Sequence, residues 1–112
     1  MILWPISFCS TGARVEASNK RGWSALHCAA HSGKTTVIKS LISYCALIDA
    51  QDEDRLTALH LAASKGFEEI VDTLLQHGAG IDATDEDGWT ALYFAAQSGK
   101  AAVAETLINT TL

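Results

Sequence analysis

Three segments of the chain superimpose at one fixed offset: SALHCAAHSG from Ser24, TALHLAASKG from Thr57 and TALYFAAQSG from Thr90. Leu26, Leu59 and Leu92 are 33 residues apart, as are Gly33, Gly66 and Gly99. The same register aligns Ala30, Ala63 and Ala96, then Val37, Ile70 and Val103, then Leu41, Leu74 and Leu107. Each period is therefore one structural unit. Fully burying one aliphatic side chain is worth roughly 1.5–3 kcal/mol, which leaves a single unit unable to offset the conformational entropy of ordering its residues. The units must stack and share their apolar faces.

Within a period, Thr57 is placed to cap a short helix through Ala58, Leu59, His60, Leu61, Ala62 and Ala63, with Gly66 positioned to end it. Leu59, Ala62 and Ala63 share one helical face, and the two methyl side chains let a neighbouring helix approach closely. A second helix is predicted over 67–76, where Ile70, Val71, Leu74 and Leu75 form an apolar stripe and Gly78 stops it. Val37, Ile38, Leu41 and Ile42 fill this stripe in the first repeat; Val103, Leu107 and Ile108 fill it in the third, with Ala104 in the place of Val71. The segments 45–54 and 78–87 between helix pairs are rich in Gly, Asp and Ala and suit turns.

A 33-residue period carrying TALHLAA resembles the ankyrin repeat family, and the resemblance runs over essentially the whole chain, strongly from Asn19 onward. It implies an all-α solenoid of helix-turn-helix units joined by β-hairpin fingers, with first helices and fingers lining a concave surface and second helices forming the outer row. It also implies that His27 and His60 hydrogen-bond within the turn that opens each first helix. The repeats then run over 21–50, 54–83 and 87–112. Gly12, Ala13, Val15 and Ala17 match Gly78, Ala79, Ile81 and Ala83, so residues 1–17 are predicted to be a second helix without its first, with Trp4, Phe8 and Cys9 on its stripe. The third repeat stops before its closing Gly-Ala, and neither end has an obvious polar cap. The expectation is a piece of a longer array; the alternative is a small complete protein that uses the helix from Trp4 as its cap.

Departures from the family pattern carry their own expectations. Ala25, Ala58 and Ala91 replace the usual proline at little cost, alanine being an excellent helix former. Cys45 replaces the glycine found at 12 and 78, which predicts strain of about 1 kcal/mol that Cys45→Gly relieves. Arg55 stands where Gly22 and Gly88 do, and Tyr93 replaces the motif histidine, so the turn bonds of the second finger and third first-helix are expected to be disturbed.

With 48% apolar residues, 19% charged and a net charge of −5, the 112-residue chain reads as one foldable domain. Only eight Lys and Arg argue against nucleic acid as partner, because that affinity is built largely from cationic contacts. Cys9, Cys28 and Cys45 give no disulfide framework and no zinc spacing, which fits a reducing, intracellular and cytoplasmic setting with the nucleus also open. The apolar opening MILWPISFC is far shorter than a membrane span and lacks a basic leader, so no membrane is expected.

No nucleophile paired with a base, phosphate loop or dinucleotide fingerprint is present, so the chain is read as not an enzyme and without cofactor. His27 and His31, with Cys28 between them, have the spacing of two metal ligands on one helical face, but the capping role accounts for His27 and no further ligand converges. Nor do the acidic triplets Asp52–Asp54 and Asp85–Asp87 fit a calcium loop: counted from Asp85, the glutamate position falls on Ala96.

What remains is noncovalent binding of a protein by a monomer. Two acidic fingertips carrying Glu53, Asp54, Glu86 and Asp87, against a first finger with Lys20 and Arg21, favour a partner with a basic patch. Trp23, Leu56 and Trp89 fall at the finger bases, where they form an apolar ridge or else only join the fingers together; tryptophan is enriched at binding hot spots. His31, Tyr44, Lys65 and Gln97 occupy family-variable positions and complete the predicted surface. The alternative is the ankyrin segment of a larger multidomain signalling protein or enzyme, acting as scaffold or spacer.

Overall fold

Residues 22–44 and 46–111 are described by the structure, a computed structural model. The expected half repeat at 1–17, the basic pair Lys20 and Arg21, and Cys45 with its expected strain lie outside the described residues. Six helices follow in order: α1 (Ala25–Ser32), α2 (Thr35–Ser43), α3 (Ala58–Lys65), α4 (Glu68–Gln76), α5 (Ala91–Gln97) and α6 (Ala101–Thr111). The first helices α1, α3 and α5 contact one another in sequence, the second helices α2, α4 and α6 do the same, and each repeat pairs one of each. The result is a two-row stack.

The capping chemistry predicted from sequence starts each first helix. Ser24, Thr57 and Thr90 sit in extended backbone as N-caps, and their hydroxyls accept from the amides of His27, His60 and Tyr93. Gly33 and Gly66, left-handed at φ 75° and 80°, stop α1 and α3. The absence of a side chain at Gly33 serves packing too, because a Cβ there would stand 2.9 Å from the Phe67 ring of the next repeat. Ala62 and Ala63 are wholly buried, as is Ala30, so the small residues sit where first helices meet.

Along the second helices Ile38, Ile70, Val71, Leu74, Val103 and Leu107 are buried, and Leu41, Ile42, Leu75 and Ala104 pack partly against them. Val37 and Ile108, expected in the same stripe, are instead 45% and 47% exposed. Each belongs to a repeat that packs against a described neighbour on one side only.

The fingers also differ from the expected β-hairpins: no strand forms among the described residues. Each is a tight turn closed by two backbone bonds: Asp52 N–H to the Leu56 carbonyl (3.0 Å) and Arg55 N–H to the Asp52 carbonyl (3.0 Å), then Asp85 N–H to the Trp89 carbonyl (3.1 Å) and Gly88 N–H to the Asp85 carbonyl (3.0 Å). An aspartate carboxylate fills the turn from inside: Asp52 Oδ1 accepts from Asp54 and Leu56 amides at 2.8 Å, and Asp85 Oδ1 from Asp87 and Trp89 amides at 2.9 Å. Because side chains satisfy these donors, no strand ladder is needed. Arg55 does adopt the left-handed conformation (φ 67°) of its glycine counterparts, and yet its turn bond to Asp52 survives.

Candidate functional site

Each motif histidine works in two directions. Ser24 N–H donates to His27 Nδ1 (3.1 Å), which places the ring proton on Nε2, and Nε2 donates to the Leu56 carbonyl of the next finger at 2.7 Å. In the second repeat Thr57 N–H donates to His60 Nδ1 (3.0 Å), while Nε2 reaches the carbonyls of Ala83 (3.0 Å) and Trp89 (3.2 Å). A helix cap is thereby also a rivet between repeats. Burial, the largest influence, lowers the pKa of His60 below 6.5 against the opposing pull of the Ala83 and Trp89 carbonyls and of Asp85 and Asp52. With both ring nitrogens of His27 engaged, it offers no free lone pair to a metal shared with His31, and no group of three potential metal ligands assembles among the described residues.

The third repeat keeps the cap and loses the rivet. Thr90 Oγ1 still accepts from Tyr93 N–H (3.4 Å), but tyrosine returns no bond to the Thr90 amide and its ring is 58% exposed. It stands edge-on to Trp89, ring centroids 6.1 Å apart, while Trp89 also meets Phe94 at 5.5 Å. Tyr93, by sequence only a departure from the motif, is thus the exposed member of an aromatic group at the finger base. The missing histidine was the available signal: the tyrosine in its place makes neither the return bond to the cap amide nor a bond to another finger among the described residues.

The predicted ridge of Trp23, Leu56 and Trp89 is divided by the structure. Trp23 donates its indole N–H to Asp52 Oδ2 (2.9 Å), stacks on His27 and touches His31. Asp52 is only 9% exposed and accepts three hydrogen bonds, so it belongs to the junction and not to the acidic surface. Leu56 is half-buried against the core, and its carbonyl receives His27. Trp23 and Leu56 therefore join repeats together. The indole N–H of Trp89 meets no acceptor among the described residues.

Of the other predicted residues, Glu53, Asp54, Glu86 and Asp87 are exposed, and their two fingertips are adjacent, since Glu86 N–H donates to the Asp54 carbonyl at 3.0 Å. His31, Lys65 and Gln97 are exposed on the last turns of α1, α3 and α5. Tyr44, 50% exposed, does not join them: it caps the C-terminus of α2, in the other row. That row carries a polar groove of about 450 Å³ between α2 and α4, lined in part by Lys39, Glu69, Asp72 and His77.

A family model described as ankyrin repeats (3 copies) matches residues 6–85 and 45–111. No curated protein matches the chain.

Proposed function

Because the chain belongs to the ankyrin repeat family, whose members are in general protein-interaction modules, we propose that it binds a partner protein noncovalently through fingertips two and three and the exposed ends of the first helices. One observation carries this reading: the Glu86–Asp54 backbone bond unites two acidic tips beside the exposed Tyr93, which stands edge-on to the half-buried Trp89. Clustered carboxylates favour a partner with a basic patch and speed its approach at low salt, while the aromatics supply apolar contact area. Glu53, Asp54, Glu86, Asp87, Trp89, Tyr93, Lys65 and Gln97 would carry the contact, with no chemistry performed on the partner and no cofactor. The setting proposed is intracellular and cytoplasmic, and the protein acts as a monomer. Among the described residues no helix is long and apolar enough to cross a membrane.

Photo-crosslinking residues placed singly at Glu86, at Gln97 and, in the other row, at Asp72 test the reading in the source cell. One protein captured from Glu86 and Gln97 but not from Asp72, and captured less as salt rises, is the expected result. Equal capture from all three positions overturns it. That outcome favours a spacer, a reading also supported by the commitment of Trp23 and Leu56 to the stack.

A further inference from the structure

Thr84 begins the sequence Thr-Asp-Glu-Asp on the third finger, and it is the only Ser or Thr in the chain with an acidic residue three positions later. The internal repeats provide controls for its uniqueness. Gln51, one period earlier, precedes the same acidic run but has no hydroxyl; Ser18, two periods earlier, has the hydroxyl but precedes Asn19, Lys20 and Arg21. Only the third finger combines acceptor and acid.

The structure gives this residue an accessible setting. Its neighbours are held: Ala83 N–H bonds to the Gly80 carbonyl (3.2 Å), the Ala83 carbonyl receives His60, and Asp85 closes the fingertip turn onto Trp89. Thr84 itself is exposed, lies outside any helix, and makes no hydrogen bond through its amide, carbonyl or hydroxyl among the described residues. Two residues of the acidic run, Glu86 and Asp87, are exposed beside it, while Asp85 has one carboxylate oxygen engaged in the turn.

We propose that Thr84 is a phosphorylation site, read by a serine/threonine kinase whose basic substrate groove recognises Glu86 and Asp87. Kinases discriminate substrates by charge pattern, and this pattern occurs once in the chain. In the transfer, Thr84 Oγ1 bonds to the γ-phosphorus of ATP as the bond from that phosphorus to the β–γ bridging oxygen breaks. ADP leaves with the electron pair, and the hydroxyl proton passes to the kinase's catalytic aspartate. The product carries about two further negative charges at neutral pH next to Asp85, Glu86 and Asp87. For the basic partner of the proposed function, modification would strengthen the attraction; the phosphorylation itself does not depend on that reading.

The full chain, incubated with Mg·ATP and a purified acid-directed serine/threonine kinase, should gain one phosphate, mapped to Thr84 by peptide fragmentation. A basic-directed kinase should add none at that position. Thr84→Ser should remain a substrate and Thr84→Val should not. Glu86→Gln/Asp87→Asn should lower kcat/KM by about tenfold or more, the scale of removing specific charge contacts, with circular dichroism unchanged throughout. The proposal is overturned by phosphate at another residue, by no incorporation into either the wild type or Thr84→Ser, or by indifference to the Gln/Asn pair. Because no binding partner enters the assay, its failure is separate from failure of the binding role.

Discussion

Trp23 and Trp89 occupy the same position two repeats apart and are both half-buried, yet the first is bonded across a junction between repeats and the second packs within its own repeat. Trp23 bonds Asp52, stacks on His27 and closes one junction between repeats. Trp89 contacts Tyr93 and Phe94 within its own repeat, and its indole N–H meets no acceptor among the described residues. The motif residue beside each tryptophan follows the same division: His27 rivets the next finger, whereas Tyr93 does not. Repetition of sequence therefore fixes a residue's address without fixing its role, because the role depends on what the next repeat offers to it.

If this comparison is right, the largest effect comes from the motif position. His27→Ala strands a buried cap amide and the Leu56 carbonyl, and should cost about 3 kcal/mol, combining a lost cap with unsatisfied buried groups. Tyr93→Ala, on the exposed side, should cost about 0.5 kcal/mol. Urea midpoints at constant m-value measure both, and similar losses would break the comparison.

The aspartates come next. Asp52→Asn keeps a turn acceptor but turns an amide N–H₂ toward the Trp23 indole donor, and should cost about 2 kcal/mol; Asp85→Asn, which faces no indole, should cost under about 1 kcal/mol. A double-mutant cycle sharpens the point. Asp52→Asn and Trp23→Phe should be non-additive, while Asp85→Asn and Trp89→Phe share a turn amide but no side-chain bond and should add.

A smaller effect, of opposite sign, is expected at the second finger. Arg55 holds the left-handed conformation that Gly22 and Gly88 hold in its neighbours. Arg55→Gly should raise stability by about 1 kcal/mol, the cost of a side chain in that region, and an unchanged midpoint would show that the finger already absorbs the strain.

The stack itself was legible from the 33-residue period, because caps, alanines and glycines recur with it and each has a local cause. Ser24 and Thr57 cap their helices whatever lies beyond them. The second direction of each histidine was not legible, since the acceptors at Leu56, Ala83 and Trp89 are brought to it only by stacking. For the same reason Asp52, in sequence simply the first member of an acidic triplet, is in the fold a buried acceptor of three bonds. Tyr93 was visible as a departure, but its exposure, with only an edge-on contact to Trp89, depends on packing that the motif does not encode. Period and capping chemistry are local, whereas a site is defined by the surface that stacking leaves over.

The same distinction predicts a pH dependence. Burial lowers the pKa of His60 in the folded chain below its ordinary 6.5, so between those two values the unfolded ring binds more protons than the folded one. Stability is then full above pH 6.5 and is lost as pH falls through that value and through the lowered folded pKa. Protonation would also put a hydrogen on Nδ1, where the Thr57 amide now donates. His60→Gln keeps a side chain able to complete a capping box but cannot titrate, so its unfolding midpoint should fall less than the wild type's as pH drops below 6.5. Tyr93→His is the matching control on the other side of the comparison. A histidine there can form the local cap but finds no described finger to bury it, so the variant should retain the wild-type pH slope; a steeper slope would mean that the third repeat is as enclosed as the second.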